Sequence, residues 1–460
     1  MWFPVRSRSL DTAGEWRPTP LGSLLSDLLD HRGRTPKKLG GDFTSEGIPV
    51  VSAKNVHDGE LFLDGETRFI SPRMYDEWMP VRLRAGDVLL TSEAPLGEAA
   101  YLRGTRPLCL GQRLFGLRAD PLKLDGRFLY YSLRSPNVQQ RLRARQTGTT
   151  AEGIRQSELV KVEIDVPSIQ TQRAISSVLG SLDDKIELNR RMNQTLERIG
   201  QALFESWFVD FDPARAKADG RWKNGGSLPG MPAEMWGLWP SEFEDAEIGE
   251  IPKGWEVKPL SEVASVARGV SYRSEDLAES DTALVSLKCA GRDGTYHEDG
   301  LKAYRGDFKP EQIVKPGEVV VSHTDVTQRA EVIGRAYRVR PSSKFARLVA
   351  SLDMAVVRPT SRGQTREYLT HALAAERFRD HCYGYTNGTT VLHLSPLALP
   401  DYPHLVPSPK VVGEFSEIVS HLNGLLDEHG FESALLSETR DALLPKLLSG
   451  EIRLPVNGGE

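Results

Sequence analysis

A chain of 460 residues is longer than one ordinary core organises, so two or more domains are expected. Its 39% hydrophobic and 26% charged content is that of a soluble globular protein, and no apolar run approaches the roughly 18 residues that cross a bilayer. The net charge of −5 does not advertise a nucleic-acid partner, but the average hides segregation. From Arg103 to Lys161 there are twelve Lys/Arg and four acids, whereas Glu234 to Glu250 holds six acids and no Lys or Arg. A local basic excess governs phosphate binding more than the whole-chain sum. Met1 to Arg6 lacks the charged-then-apolar layout of a signal peptide. The three cysteines, Cys109, Cys289 and Cys382, lie far apart with no Cys/His cluster. They are expected to be ordinary buried thiols in a reducing cytoplasm, with no metal site.

In chain order, the first stretch alternates short apolar runs with Gly, Pro and Asp. Val88–Leu90, Leu114–Leu117 and Val160–Ile164 read as strands, and Phe128 to Arg145 as helical, so a mixed α+β domain is expected. After Pro167 comes a seam at 175, 179, 182, 186, 189, 193, 196, 200, 203 and 207, in alternating steps of four and three. That spacing keeps one helical stripe facing a partner helix, and about forty residues make a rod on the order of 60 Å. Its apolar members are Ile175, Leu179, Leu182, Ile186, Leu196, Leu203 and Trp207; Asn189, Asn193 and Gly200 interrupt it. Asp210 to Pro252, rich in Pro, Gly, Trp and acids, reads as a linker. Strands are expected again at Val319–Val321 and Met354–Val357, and a helix from Glu367 to His381.

The chain is one unit written twice. Gly148-Thr149-Thr150 precedes Gly388-Thr389-Thr390 by 240 positions, and Val166-Pro167 precedes Val406-Pro407 by the same offset. Earlier in each copy the offset drifts: Val51-Ser52-Ala53-Lys54 matches Val285-Ser286-Leu287-Lys288 at 234, and Ala85 to Leu90 matches Pro316 to Val321 at 231. Adding 240 to the seam gives Phe415, Val419, Leu422, Leu426, His429, Ser433, Leu436, Arg440, Leu443 and Leu447. Two matching stripes in one chain most simply bury each other. The helix-pairing set is therefore Leu179, Leu182, Ile186, Leu196, Leu203, Trp207, Val419, Leu422, Leu426, Leu436, Leu443 and Leu447, with a buried Asn fixing register. His429 in this seam is expected to be a packed or half-exposed side chain rather than a ligand, since no second ligand lies at helical spacing.

Catalytic motifs are missing. There is no phosphate-cradling GxxxxGK[ST] loop, no GxGxxG after a strand, and no Asn/Asp-Pro-Pro-Tyr/Phe loop for a flipped base. Glu256-Val257-Lys258 with Asp245 upstream is the one nuclease-like string, and the first copy has no counterpart for it. A recognition or scaffold role is expected, without catalytic residues.

Three sets of strings carry a family resemblance: Gln170-Thr171-Gln172 with Leu182 to Asn189 and Leu203 to Phe208; Arg440 to Ile452; and the paired Gly-Thr-Thr segments with Leu110-Gly111-Gln112-Arg113. In these the chain resembles the DNA-specificity (S) subunit of type I restriction-modification systems, phage-defence complexes. The resemblance implies two target-recognition domains, each reading half of a bipartite DNA site. It implies an antiparallel helix pair that spaces them and docks two methyltransferase subunits, with restriction subunits joining that core. S-adenosylmethionine, ATP and Mg are then expected on those partners, and no chemistry on this chain. The expected division is 1–166 and 251–406 as target-recognition domains, 167–211 and 407–452 as spacer helices, 212–250 as linker and 453–460 as tail. Ser408 to Val412 departs from the Gln-rich start of the first helix, which puts equal docking in question.

Base-edge and phosphate contacts need Lys, Arg, Asn, Gln or Thr on loops. The candidates are Lys54, Asn55, Gln112, Arg113, Thr149 and Thr150 in the first copy and Lys288, Thr389 and Thr390 in the second. Residues shared by the copies suit scaffold or phosphate roles; base readers are expected where the copies differ, such as 57–80 and 292–315. Two other readings stay open at this point: a coiled-coil protein adaptor, and the DNA-recognition subunit of another phage-defence complex.

Overall fold

The computed structural model describes residues 16–63, 65–147, 152–221, 228, 231, 233–326, 330–388 and 391–455. Thr149, Thr150, Thr389 and Thr390 lie outside the described residues. The chain divides into two compact units, residues 1–186 with 435–460, and residues 187–434. Both dividing points fall inside long helices, so each unit holds part of both.

The first unit is built on a four-stranded antiparallel sheet of β1 (Leu25–Asp30), β2 (Val88–Thr91), β3 (Ala99–Tyr101) and β4 (Leu114–Ala119), ordered β1-β4-β2-β3. Every residue of β2 is buried. Successive side chains of a strand point to opposite faces. Val88 and Leu90 therefore enter a core with helices Gly126–Arg134 and Pro136–Ala144, while Leu89 enters another with Met74, Tyr75 and Trp78 of helix Pro72–Trp78. With cores on both faces, the strand reads as a continuous apolar run rather than an alternation. Strand Arg17–Pro20 pairs with Glu163–Val166 and ties the start of the globular part to its end.

The second unit repeats this plan. Strands β5 (Ala264–Arg268), β6 (Val319–Ser322), β7 (Ala336–Arg338) and β8 (Met354–Pro359) are ordered β5-β8-β6-β7, and Glu256–Pro259 pairs with Pro403–Val406. Val319 and Val321 face one core and Val320 another. The span expected to be a linker is folded. It forms helix Asp212–Ala218, a turn of 3-10 helix at Ala233–Leu238 and a hairpin of Phe243–Ala246 with Gly249–Pro252. Trp236 and Trp239 are buried with Trp207 and Trp255, and the rings of Trp207 and Trp239 meet edge to face at 5.3 Å. Aromatic burial outweighs the loop-forming Gly and Pro around it. The nuclease-like Glu256-Val257-Lys258 lies in a paired strand, with Lys258 held by Glu256 at 2.5 Å.

The two long helices, Ile169–Phe208 and Pro409–Leu448, are 40 residues each. Ser168 and Ser408 cap them, each hydroxyl accepting from the backbone N–H three residues on. Pro445 lies inside the last turns of the second helix, and Gly450 follows in the left-handed region at φ 74°. Within the first unit, Ile175 and Leu179 share a core with Leu443, Leu444 and Leu447. Within the second, Leu203 and Trp207 share one with Val411, Phe415 and Val419. Rising numbers on one helix meet falling numbers on the other, so the pairing is antiparallel. Of the helix-pairing set, Leu179, Leu203, Trp207, Val419, Leu426 and Leu447 are buried; Leu182, Ile186, Leu196, Leu422, Leu436 and Leu443 are half-buried.

Polar breaks in the seam meet each other. His429 Nδ1 donates to Asn193 Oδ1 at 2.8 Å, and Asn189 Nδ2 donates to Glu432 Oε2 at 2.8 Å and Ser433 Oγ at 3.2 Å. Position 189 of one copy thus meets 193 of the other, and the reverse. A one-turn slip would leave Asn189, fully buried, without these acceptors, and an unmade bond of a buried amide costs roughly 1–3 kcal/mol. In the first unit Arg440 donates to Asp183 Oδ1 at 2.9 Å and Tyr131 donates to its Oδ2 at 2.6 Å. The copy-related positions in the second unit are Gly200, Asn423 and His371, and a cavity of about 530 Å³ opens there.

Arg440→Met leaves the buried Asp183 carboxylate with a hydroxyl alone. It is expected to lower unfolding stability by about 3 kcal/mol in urea denaturation of the full chain, with Asp183→Leu in the same chain restoring most of the loss. A change under about 0.5 kcal/mol would show the pair to be solvated. His404, buried against Gln364 at 3.0 Å, has its imidazole pushed by burial down to about 3, with the charge of Arg377 adding to this. The unfolded chain then takes up a proton below about 6.5 that the fold refuses. Stability is therefore expected to fall as the pH drops from 7 to 5.5, and His404→Gln to flatten that slope; equal slopes in both proteins would refute this.

Candidate nucleic-acid interface

In the first unit three loop segments converge at one end of the central sheet. Strand β2 runs into Ser92-Glu93, the turn Gln112-Arg113 leads into β4, and the segment His31 to Lys38 follows β1. Ser92 N–H donates to Arg113 O at 2.9 Å, and Ile154 N–H donates to Ser92 O at 2.9 Å. Gln112 draws the third segment in: its Oε1 accepts from Gly33 N–H at 3.0 Å and its Nε2 donates to Arg34 O at 2.5 Å. Arg32 forks onto Asp30, lies 4.4 Å over the Phe115 ring and donates to Ile154 O. Lys38 donates to Gly33 O at 2.7 Å, and exposed Lys37 sits beside it. The neck of the Gly-Thr-Thr segment is here too: Thr147 bridges Gly153, which bridges Glu93.

The second unit has the same backbone here. His323 N–H donates to Asp353 O at 2.7 Å, and Leu394 N–H to His323 O at 2.9 Å. Strand Thr324–Asp325 pairs with Leu392–Leu394, which pairs with Thr386–Asn387. The side chains differ. Ser92, Glu93, Gln112 and Arg113 stand where the second unit has His323, Thr324, Leu352 and Asp353. Burial pushes the His323 imidazole down to about 4, with Arg268 adding to this, so it carries no charge at neutral pH. Leu352 is exposed, while Asp325 is buried and holds Val332 N–H at 2.7 Å.

The sequence candidates separate on this geometry. Arg113 is exposed beside Glu93, its Nε 3.0 Å from Glu93 Oε1. Gln112 is occupied in pinning the 31–38 segment. Lys54 and Lys288 occupy matching short 3-10 turns and are exposed; Lys54 reaches Glu66 at 3.1 Å, and Lys288 has no ion pair among the described residues. Asn55 is 2% exposed and caps the Lys54 turn, accepting from Ser52 N–H at 2.9 Å and donating to Phe62 O at 3.0 Å. It positions Lys54 rather than facing outward. Much of 57–80 is occupied in packing, through Met74, Tyr75 and Trp78, and so is part of 292–315, through Tyr304 and Val314. The basic segment 31–38 escaped the sequence reading. Its only sequence signal was Arg32, Arg34, Lys37 and Lys38 within seven residues.

Arg113 is held in the left-handed region at φ 62°. That conformation costs a non-glycine residue roughly 1–2 kcal/mol, and an exposed ion pair returns about 1 kcal/mol or less. Asp353, at the matching place, has no positive φ. The shared scaffold therefore does not require the strain; it belongs to the first unit. Residues held in sparsely populated backbone regions cluster at functional sites.

Among the described residues no group of three or more His, Cys, Asp or Glu could hold a metal ion, and no helix is long and apolar enough to cross a membrane. The arrangement offers loops, cations and hydrogen-bonding side chains at the end of a rigid sheet.

Residues 15–198 match the family described as type I restriction modification DNA specificity domain. The specificity subunit of the type I restriction enzyme MjaIX from Methanocaldococcus jannaschii is 26% identical over 437 residues, covering 92% of this chain and 90% of that protein. The HindI specificity subunit from Haemophilus influenzae is 27% identical over 329 residues, covering 63% of this chain and 69% of that one. The crystal structure of a type I restriction-modification S subunit from M. genitalium shares the fold, with a TM-score of 0.52 at 18% identity, over 95% of this chain and 97% of that one. Residues 15–198 thus match a type I restriction modification DNA specificity domain, and along most of its length the chain is similar to the specificity subunits of type I restriction enzymes.

Proposed function

We propose that this chain is the DNA-reading subunit of a type I restriction-modification complex, each unit recognising one half of a bipartite site. One observation carries the reading: both units present the same backbone locus at a sheet end, with different side chains on it. A common scaffold that reads two sequences needs this combination. Exposed Lys37, Lys54 and Lys288 suit phosphate contacts, which position the protein without reading sequence. The two long helices, shared by both units, set the distance between half-sites and dock two methyltransferase subunits, with restriction subunits joining them. Adenine methylation by S-adenosylmethionine, and ATP- and Mg-dependent cleavage, belong to those partners; the role of this chain is recognition.

Methylation-aware sequencing of host DNA, with and without this gene beside its methyltransferase, is expected to show adenine methylation at a two-part motif only when the gene is present. Unchanged methylation would refute the reading and favour a protein adaptor. Lys288→Ala is expected to weaken binding to every sequence alike and to reduce the slope of log affinity against log salt by about 1, with the motif unchanged. Removing seven residues, one heptad, from each helix is expected to shorten the gap between half-sites and leave both halves intact. Altered half-sites would show that the helices take part in readout.

A further inference from the structure

The first unit's locus carries a feature that the scaffold does not explain. Arg113 is strained, although the second unit keeps the same Ser92-to-Arg113 backbone bond, as His323 to Asp353, without the strain. The conformation is held from both sides: by that bond, and by Gln112, clamped between Gly33 and Arg34. Its effect is to set the Arg113 guanidinium against Glu93, the side chains 56% and 35% exposed. The contact uses Arg113 Nε and Glu93 Oε1, so neither of the outer guanidinium nitrogens nor the second carboxylate oxygen is consumed by it. Gly153 bridges Glu93 and sits close behind it; a Cβ there would come within 3.1 Å of the Glu93 Cβ and 3.4 Å of its Oε2. A bare backbone at 153 thus leaves room for the carboxylate.

The pair presents a forked donor beside an acceptor. A guanine offers N7 and O6 to a fork in the major groove, and the cytosine paired with it offers its N4 amino group next to that O6. A carboxylate on a DNA surface repels phosphates unless it is matched to a donor such as this amino group and neutralised by a neighbouring cation, and Arg113 supplies the cation. We propose that Glu93 and Arg113 together read one C·G base pair in the half-site of the first unit, Arg113 donating to guanine and Glu93 accepting from cytosine. The proposal rests on the DNA-recognition reading above. The second unit, with Thr324, Leu352 and Asp353 at the matching places, lacks the fork and reads something else there.

The test compares the methylated motif directed by the wild-type chain, Arg113→Ala, Arg113→Lys and Glu93→Ala, each expressed with its methyltransferase partner. The wild type is expected to require a C·G pair at one position of one half-site. Arg113→Ala and Glu93→Ala are each expected to lose discrimination about 10-fold to 100-fold at that position, with the rest of that half and all of the other half unchanged. Arg113→Lys, which keeps the charge and loses the fork, is expected to relax the same position. An unchanged motif with uniformly lower methylation in all three variants would make Arg113 a phosphate contact and overturn the proposal. So would a wild-type motif whose affected half has no required C·G pair. If the wild type directs no two-part motif at all, the recognition reading itself fails, an outcome distinct from these.

Discussion

The structure depends on one arrangement: in each unit, one core is completed by residues of both long helices. Leu447 is buried in the core built by Phe128, Leu129 and Leu179, and Trp207 is buried in the one built by Tyr368, Val411 and Phe415. A seam made only of apolar residues would hold two helices together in several registers, since dispersion and water exclusion are not directional. The Asn189, Asn193, His429 and Ser433 layer removes that freedom, because its hydrogen bonds close in one alignment alone. Half of the twelve pairing residues remain partly exposed, so the seam relies on its buried ends and its polar centre rather than on continuous burial.

Rigidity at the seam and variation at the loops are two sides of one design. In both units the central sheet is covered on both faces, and its interior strands are therefore constrained to apolar side chains. The residues just past the strand ends are not so constrained. Their backbone is held by bonds such as Ser92 N–H to Arg113 O, which are indifferent to the side chain, so chemistry at 92, 93, 112 and 113 can change without moving the scaffold. The contrast between Tyr131-Asp183-Arg440 in the first unit and His371, Asn423 and Gly200 in the second shows that the seating of the two globular parts on the helices has diverged as well.

The duplication, the strands Val88–Leu90 and Val319–Val321 and the helical seam were legible because each is a local pattern: a fixed offset, a short apolar run, a heptad-like step. The pairing of Asn193 with His429 was half legible, since both break the stripe. What escaped was set by distant partners. Gln112 was read as a base reader by residue type, but its amide is taken by residues 33 and 34, nearly eighty positions away. Asn55 met the same fate through a cap to Ser52 and a bond to Phe62. The span 212–250 looked like a linker because Gly and Pro are counted locally, whereas the burial of Trp236 and Trp239 depends on Trp207 and Trp255 arriving from elsewhere. Arg113 is an exposed loop cation, but its left-handed backbone cannot be read from its neighbours.

The first unit is not contiguous in the chain, and this bears on its synthesis. Its globular part is finished by residue 166, yet Leu443, Leu444 and Leu447 close its core, and Gly450 lies so near Trp16 that a Cβ would strike the indole nitrogen at 2.6 Å. A ribosome delivers these residues only after the whole second unit. The nascent first unit therefore lacks part of its core until residues 443 to 447 have been made. A chain cut short before about residue 440 lacks Leu443, Leu444 and Leu447 from that core. The helix end that completes the first core is thus also the one made after the second unit.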